Sequence, residues 1–155
     1  GLTLDPKNAG AYFQLGNARI IEENLLLAKK AFKQAATIDP TFWAAINNEA
    51  LVEFELGKTM DAIEKWKEVL KIKKDAEPML ALASALHHTD PGNAEALELA
   101  AEALAKNPNY VSPVHQKEQL WGPMLRNATK RLLTNPKLTS AVEKALANSD
   151  ANSQL

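Results

Sequence analysis

The chain has 155 residues, of which 46% are hydrophobic, so it can form one domain with a sizeable core. Its 18 basic and 19 acidic residues leave a net charge of -1, which gives no indication of a basic face for nucleic acid or an anionic membrane. The lack of cysteine excludes disulfides, thiolate zinc sites and cysteine nucleophiles.

The N-terminal residues 1–8 have neither the basic start nor the apolar run of a signal peptide. No apolar segment approaches the roughly 20 residues that a membrane-spanning helix needs, so we expect no membrane insertion. Leu4-Asp5-Pro6 precedes the similar Ile38-Asp39-Pro40 by about 34 residues, one period of the pattern described below. We therefore expect residues 1–8 to close an earlier repeat of a longer, cytoplasmic protein, from which a targeting segment could have been removed.

The first pair of predicted helices occupies residues 11–40. Its first helix has one face formed by Tyr12, Leu15, Gly16, Arg19 and Ile20. Asn24 is placed to cap the second helix, whose buried side is formed by Leu25, Ala28, Phe32 and Ala35. Asp39-Pro40 ends this helix, because proline disfavours helical backbone in the residue before it.

Two further helix pairs follow at the same spacing. The second pair begins at Trp43, turns at residues 57–59 and continues through Leu70. The third has Pro78 in the first turn of a helix, where its missing N–H costs little, then a turn at residues 89–93 and a helix over residues 94–106.

The three pairs align at an interval of about 34 residues. Small residues and aromatic residues recur in four registers: Gly16, Ala50 and Ser84; Ala28, Ala62 and Ala96; Ala35, Val69 and Ala103; Phe32, Trp66 and Ala100. Prolines share a fifth register at Pro6, Pro40 and Pro108, with Lys74 in the remaining place. Small residues allow helices to approach to about 8–10 Å, and large residues beside them fill the gaps.

The pattern ends after Pro108. Pro113, Gly122-Pro123 and Asn135-Pro136 delimit short helices, which we place at residues 113–121, 124–134 and 137–148. Because the last unit of a repeat array exposes a hydrophobic face, we expect helix 113–121 to cover it. The polar end of the chain, SDANSQL, is expected to fray.

These residues resemble the tetratricopeptide repeat family, whose spacing combines Leu-Gly, aromatic, alanine and proline positions over about 34 residues. The first copy fits best, through Tyr12, Leu15, Gly16, Ala28, Phe32, Ala35 and Pro40. The second departs from the pattern at Glu49 and Glu53, where apolar or aromatic residues are usual. The domain organisation is then the end of a preceding repeat at 1–8, repeats at 9–42, 43–76 and 77–110, and C-terminal capping helices with a polar tail at 111–155.

The resemblance implies an all-α fold, a right-handed superhelical α-solenoid of antiparallel helix pairs with extra C-terminal helices. It also implies a non-catalytic scaffold that binds a peptide or helix of a partner protein in a concave groove, for example during complex assembly. By position, the groove residues are Phe13, Asn17, Ile20, Asn47, Asn48, Leu51, Phe54, Leu82 and His88. Asparagine amides can hold a peptide backbone while apolar residues take its side chains, although some of these aromatics could instead pack within the repeat.

One subclass of the family binds acidic chaperone tails through a clamp of Lys, Asn, Asn, Lys and Arg. Only Asn17 and Asn48 match that clamp, and its basic positions hold Phe13, Pro78 and Leu82. We therefore predict no binding of such tails. An alternative role is structural: the groove is filled by the amphipathic segment 138–146 or by a neighbouring molecule in a homo-oligomer.

No catalytic or cofactor-binding motif is present. There is no Gly-rich phosphate loop, paired catalytic acid or nucleophile arrangement, so we expect neither an enzyme nor a cofactor. His87 and His88 point to different helix faces, and zinc needs three or four convergent ligands, so no metal site is expected. Lysines 65–74 alternate with acidic residues and indicate a solvated face.

Overall fold

The computed structural model describes residues 5–150, which form nine α-helices, two short 3-10 helices and no strand. The expectations for an earlier repeat before Asp5 and for a frayed tail after Asp150 lie outside these residues. Contacts between residues divide the chain into two compact units after Lys73. None of the described helices is long and apolar enough to cross a membrane.

The first unit contains two helix pairs, and its helices are α1 (Ala9–Ile21), α2 (Leu25–Ile38), α3 (Trp43–Glu55) and α4 (Thr59–Ile72). Each helix packs against the next along the chain. Because the connections are only a few residues long, successive helices run antiparallel. These bounds confirm the predicted start at Trp43 and the predicted stop before Asp39-Pro40.

Local chemistry begins and ends these helices. The Asn24 side chain accepts a hydrogen bond from the Leu27 N–H at 3.2 Å, which confirms it as the cap of α2. Glu23 has a φ of 61°, and Gly57 has a φ of 82° at the equivalent place in the next turn. Glycine adopts this left-handed backbone without steric cost, whereas glutamate does not.

All twelve positions of the four alanine-rich and aromatic registers are buried, which confirms the periodic core. The surroundings of Gly16 show why the residues in its register are small. A Cβ atom built on Gly16 would lie 2.5 Å from Cε1 of Phe32, whose side chain is 0% exposed. The first pair of helices is therefore in close contact at this point.

The second unit begins with the pair α5 (Ala76–Thr89) and α6 (Ala94–Lys106), and continues with α7 (Pro113–Glu118), α8 (Pro123–Leu133) and α9 (Thr139–Asn148). Short 3-10 helices at Pro108–Val111 and Pro136–Leu138 precede α7 and α9. The three C-terminal helices lie close to their predicted positions, with α7 shorter than expected.

The prediction that helix 113–121 covers the last repeat is wrong. The helix that packs along α5 is α8, while α9 packs against α6 and α7 contacts mainly the preceding 3-10 helix. With six residues, α7 is about 9 Å long and is too short to cover α5. A hydrogen bond of 2.7 Å between the hydroxyls of Ser84 and Thr129 joins α5 to α8.

A partly buried polar cluster holds the start of α5 against the C-terminal segment. The Trp121 indole N–H donates to Oε2 of Glu77 at 2.9 Å, and the Tyr110 hydroxyl donates to Oε1 at 3.4 Å. Burial, together with the charge of Glu77, raises the pKa of Tyr110 well above its usual range, so this hydroxyl stays a donor.

Candidate functional site

The α1 residues of the predicted groove are half-buried in the first unit. Phe13 packs against the rings of Phe32 and Phe42, with centroid distances of 5.9 Å and 5.0 Å. Ile20 and Phe13 also pack against the core cluster that contains Val52. Both side chains therefore contribute to packing and present only part of their surface to solvent.

Three asparagines of the predicted groove form one chain of hydrogen bonds that starts at a tryptophan. Trp66 Nε1 donates to Asn47 Oδ1 at 3.1 Å, and Asn47 Nδ2 donates to Asn48 Oδ1 at 3.1 Å. Asn48 Nδ2 in turn donates to Asn17 Oδ1 at 2.9 Å. The chain connects α4, α3 and α1 of the first unit, and all its bonds run in the same direction.

This direction leaves a donor at the outer end. Asn47 and Asn48 are 1% and 8% exposed, whereas Asn17 is half-buried. The Asn17 oxygen already accepts from Asn48, and its Nδ2 group has no partner among the described residues. Hydrogen bonds in one direction polarise each other, so the chain strengthens this last donor. Its chemistry suits a carbonyl or carboxylate oxygen of a ligand.

The apolar residues that α3 contributes to the predicted groove are buried. Leu51 is 2% exposed and Phe54 is 0% exposed, and the Phe54 ring packs 6.2 Å from the ring of Trp66. Phe54 therefore packs inside its helix pair instead of lining the groove, which was the alternative considered in the sequence analysis. Neither side chain has enough exposed surface to receive a ligand without rearrangement.

In the second unit, Leu82 and His88 both lie on α5. Leu82 is 1% exposed. His88 is exposed, and its Nδ1 atom lies 3.2 Å from Nη2 of Arg131 on α8. The neighbouring His87 ring accepts a hydrogen bond from the Gly92 N–H at 3.0 Å in the following turn. Both histidines therefore have structural partners.

Charged side chains from α2, α3 and α4 form a cluster that the sequence analysis did not predict. Glu53 and Glu49 have side chains that are 2% and 6% exposed. Lys65 Nζ lies 2.8 Å from Glu53 Oε1 and 3.9 Å from Glu49 Oε1, and Lys29 Nζ lies 3.9 Å from Glu53 Oε2. The signal was the pair of glutamates at positions that are usually apolar or aromatic.

Burial controls the protonation of this group. It raises the pKa of Glu49, and the positive charge of Lys65 offsets only part of the effect. For Lys65, burial acts to lower the pKa, but the hydrogen bond to Glu53 and the charge of Glu49 outweigh it and the pKa is raised. Lys65 therefore stays charged and belongs to this cluster rather than to the solvated face predicted for lysines 65–74.

Within residues 5–150, no three histidine, aspartate or glutamate side chains come together in a way that could hold a metal ion. No known protein-family model matches the chain, and no curated protein matches it either.

Proposed function

We propose that the chain is a tetratricopeptide array, a right-handed α-solenoid that acts as a non-catalytic scaffold. In this proposal, the groove face beside Asn17 on α1 binds an extended or helical segment of a partner protein, and the protein serves in complex assembly. The observation that carries it is the directed chain from Trp66 to Asn17, which ends in an available amide donor at a half-buried position. The donor suits the backbone carbonyl of a bound peptide.

The buried registers support the family assignment. Each of three consecutive helix pairs buries one small residue on its first helix and three residues on its second helix, at the same interval. Such a repeat leaves the first helix of each pair to line one face, which repeat proteins use for binding. The proposed partner is not an acidic chaperone tail, because the clamp's basic positions hold Phe13, Pro78 and Leu82.

A structural role is the second candidate, and one observation favours it. In the second unit, α8 packs along α5, the helix that carries Leu82 and His88. The chain's own C-terminal segment therefore takes part of the surface that the third repeat would offer. The segment that does so is α8 rather than the sequence 138–146.

The substitution Asn17→Asp tests the binding proposal with a minimal change. Aspartate retains an oxygen to accept from Asn48 Nδ2 but lacks the NH₂ group, which has no partner within residues 5–150. Gln14→Glu is the matched control, because it makes the same chemical change at an exposed position of the same helix. Peptides selected from a random display library against the wild-type protein serve as ligands, and fluorescence anisotropy gives each dissociation constant.

We expect Asn17→Asp to weaken binding about three- to tenfold, the value of one hydrogen bond and an added charge, while Gln14→Glu changes it little. Equal effects of the two variants would refute the role of the amide. If no peptide can be selected and light scattering shows a concentration-dependent oligomer, the structural role is favoured instead.

A further inference from the structure

A cavity of about 220 Å³ opens in the second unit between α7, α8 and α9. Its apolar wall is formed by Val111, Pro113, Leu133, Val142 and Leu146. Leu146 is 43% exposed, and Leu133 and Val142 are half-buried, so the site can be reached from solvent.

Three uncharged polar side chains line the wall. Gln116 Nε2 donates to the Tyr110 carbonyl at 2.8 Å, while its buried Oε1 atom has no hydrogen-bond partner among the described residues. Thr129 Oγ1 bonds with Ser84 and donates to the Leu125 carbonyl at 2.9 Å. Thr134 Oγ1 donates to the Arg131 carbonyl at 2.7 Å. These bonds direct the hydroxyls towards the protein, so the cavity is suited to an apolar group.

Two cations flank this apolar space. Arg126 and Lys130 both line the cavity, and none of the described residues in its wall is acidic. Arg126 Nε donates to the Trp121 carbonyl at 3.1 Å, which holds the guanidinium at the wall. Within residues 5–150, neither cation forms an ion pair. The sequence from residue 119 to residue 142, which includes all of α8, contains no aspartate or glutamate; the nearest acidic residues along the chain are Glu118 and Glu143.

The size of the cavity limits its occupant. A cavity of about 150 Å³ holds one benzene molecule, whereas pockets for drug-sized ligands measure about 300–1,000 Å³. A volume of about 220 Å³ therefore accommodates one large apolar side chain. A pocket for a single buried side chain is a common anchor in protein–protein interfaces.

We propose that this cavity binds one bulky apolar side chain of a partner protein, in a segment where acidic residues flank that side chain. The side chain fills the space beside Val142 and Leu146, and the flanking carboxylates pair with Arg126 and Lys130. The site goes beyond the proposed function, because it uses the C-terminal helices rather than the groove face beside Asn17.

Four probes test the proposal by NMR titration of the full chain. The first is a short peptide with a tryptophan between pairs of glutamates. The second replaces the glutamates with lysines, and the third replaces the tryptophan with alanine. The fourth is octanoate, a small carboxylate with an apolar chain.

We expect the first peptide to bind with a dissociation constant on the order of 0.1–1 mM and to shift the methyl signals of Val142 and Leu146. Added salt should weaken it, and the lysine and alanine peptides should bind at least about tenfold more weakly. Equal binding of the lysine peptide, or shifts confined to other regions, would overturn the proposal. Octanoate binding as tightly as the first peptide would also overturn it, since the site would then belong to a small molecule.

Charge reversal locates the contact. Lys130→Glu should weaken the first peptide about tenfold, whereas Lys137→Glu, an exposed lysine outside the cavity wall, should change binding less than about twofold. Equal losses would mean that only the net charge matters, and the proposal would fail. Val142→Phe fills the space directly and should abolish binding with the helix content unchanged; retained binding would contradict the site.

Discussion

Replacing Gly16 by alanine tests the close helix contact at the centre of the first pair. The new methyl carbon would lie 2.5 Å, 2.6 Å and 2.7 Å from three carbon atoms of the Phe32 ring. Phe32 is 0% exposed and also packs against Phe13, so its ring cannot move away freely. The clash therefore has to be absorbed by the backbones of α1 and α2.

Two opposing terms give the magnitude. Overpacking a core costs about 1–3 kcal/mol, whereas alanine is favoured over glycine in a helix by about 0.5–1 kcal/mol. We expect Gly16→Ala to lower the free energy of unfolding by about 0.5–2 kcal/mol, which is a fall of roughly 2–6 °C in Tm. Calorimetry and chemical denaturation measure both quantities.

Gly10→Ala in the same helix is the control. A Cβ atom there would meet only Oδ1 of Asn8, at 3.4 Å, so the substitution should raise stability by up to about 0.5 kcal/mol. In a Phe32→Leu background the ring is removed, and Gly16→Ala should cost less than in the wild type. If Gly16→Ala is as stabilising as Gly10→Ala, or its cost is the same in both backgrounds, the close contact is wrong.

Three further substitutions test the turn, the amide chain and the buried charges. Glu23→Gly should stabilise the protein by about 0.5–1 kcal/mol, because glycine tolerates the left-handed φ of 61°; an unchanged Tm would contradict this. Asn47→Leu should lower the free energy of unfolding by about 1–3 kcal/mol, because it leaves Trp66 Nε1 without an acceptor and Asn48 Oδ1 without a donor. In chemical denaturation, a loss below about 0.5 kcal/mol would show that this chain of hydrogen bonds adds little to stability. The folded state binds more protons than the unfolded state between the ordinary Glu49 pKa of 4.5 and its raised folded value, so this group makes stability fall as pH rises through that window. Glu49→Gln should flatten that slope in unfolding measurements at a series of pH values, and identical slopes would rule out Glu49 as its source.

The candidate site could be predicted only in part. The resemblance to tetratricopeptide repeats predicted that Asn17 and Asn48 line the same groove, and the structure joins them by a hydrogen bond. Their connection to Trp66 could not be derived from spacing, because it depends on how α3 and α4 pack. The burial of Phe54 also depends on how α3 and α4 pack, since an aromatic residue on α3 can face either a neighbouring helix or solvent.

The sequence by itself determined the helices, their turns and the buried positions of the four repeating registers. These features depend on local chemistry: side-chain caps such as Asn24, prolines that stop helices, and a small-residue register such as that of Gly16. Such signals act within one or two turns of helix and can be read along the chain.

Only the tertiary structure decided which partners meet across longer distances. It placed α8 rather than α7 along α5, and it paired the buried Glu53 with Lys65. After Pro108 no repeat interval remains to specify which helices are neighbours, so packing of the short segments selects them. The repeated part of the chain could therefore be predicted from its period, whereas the cavity between α7, α8 and α9 could not.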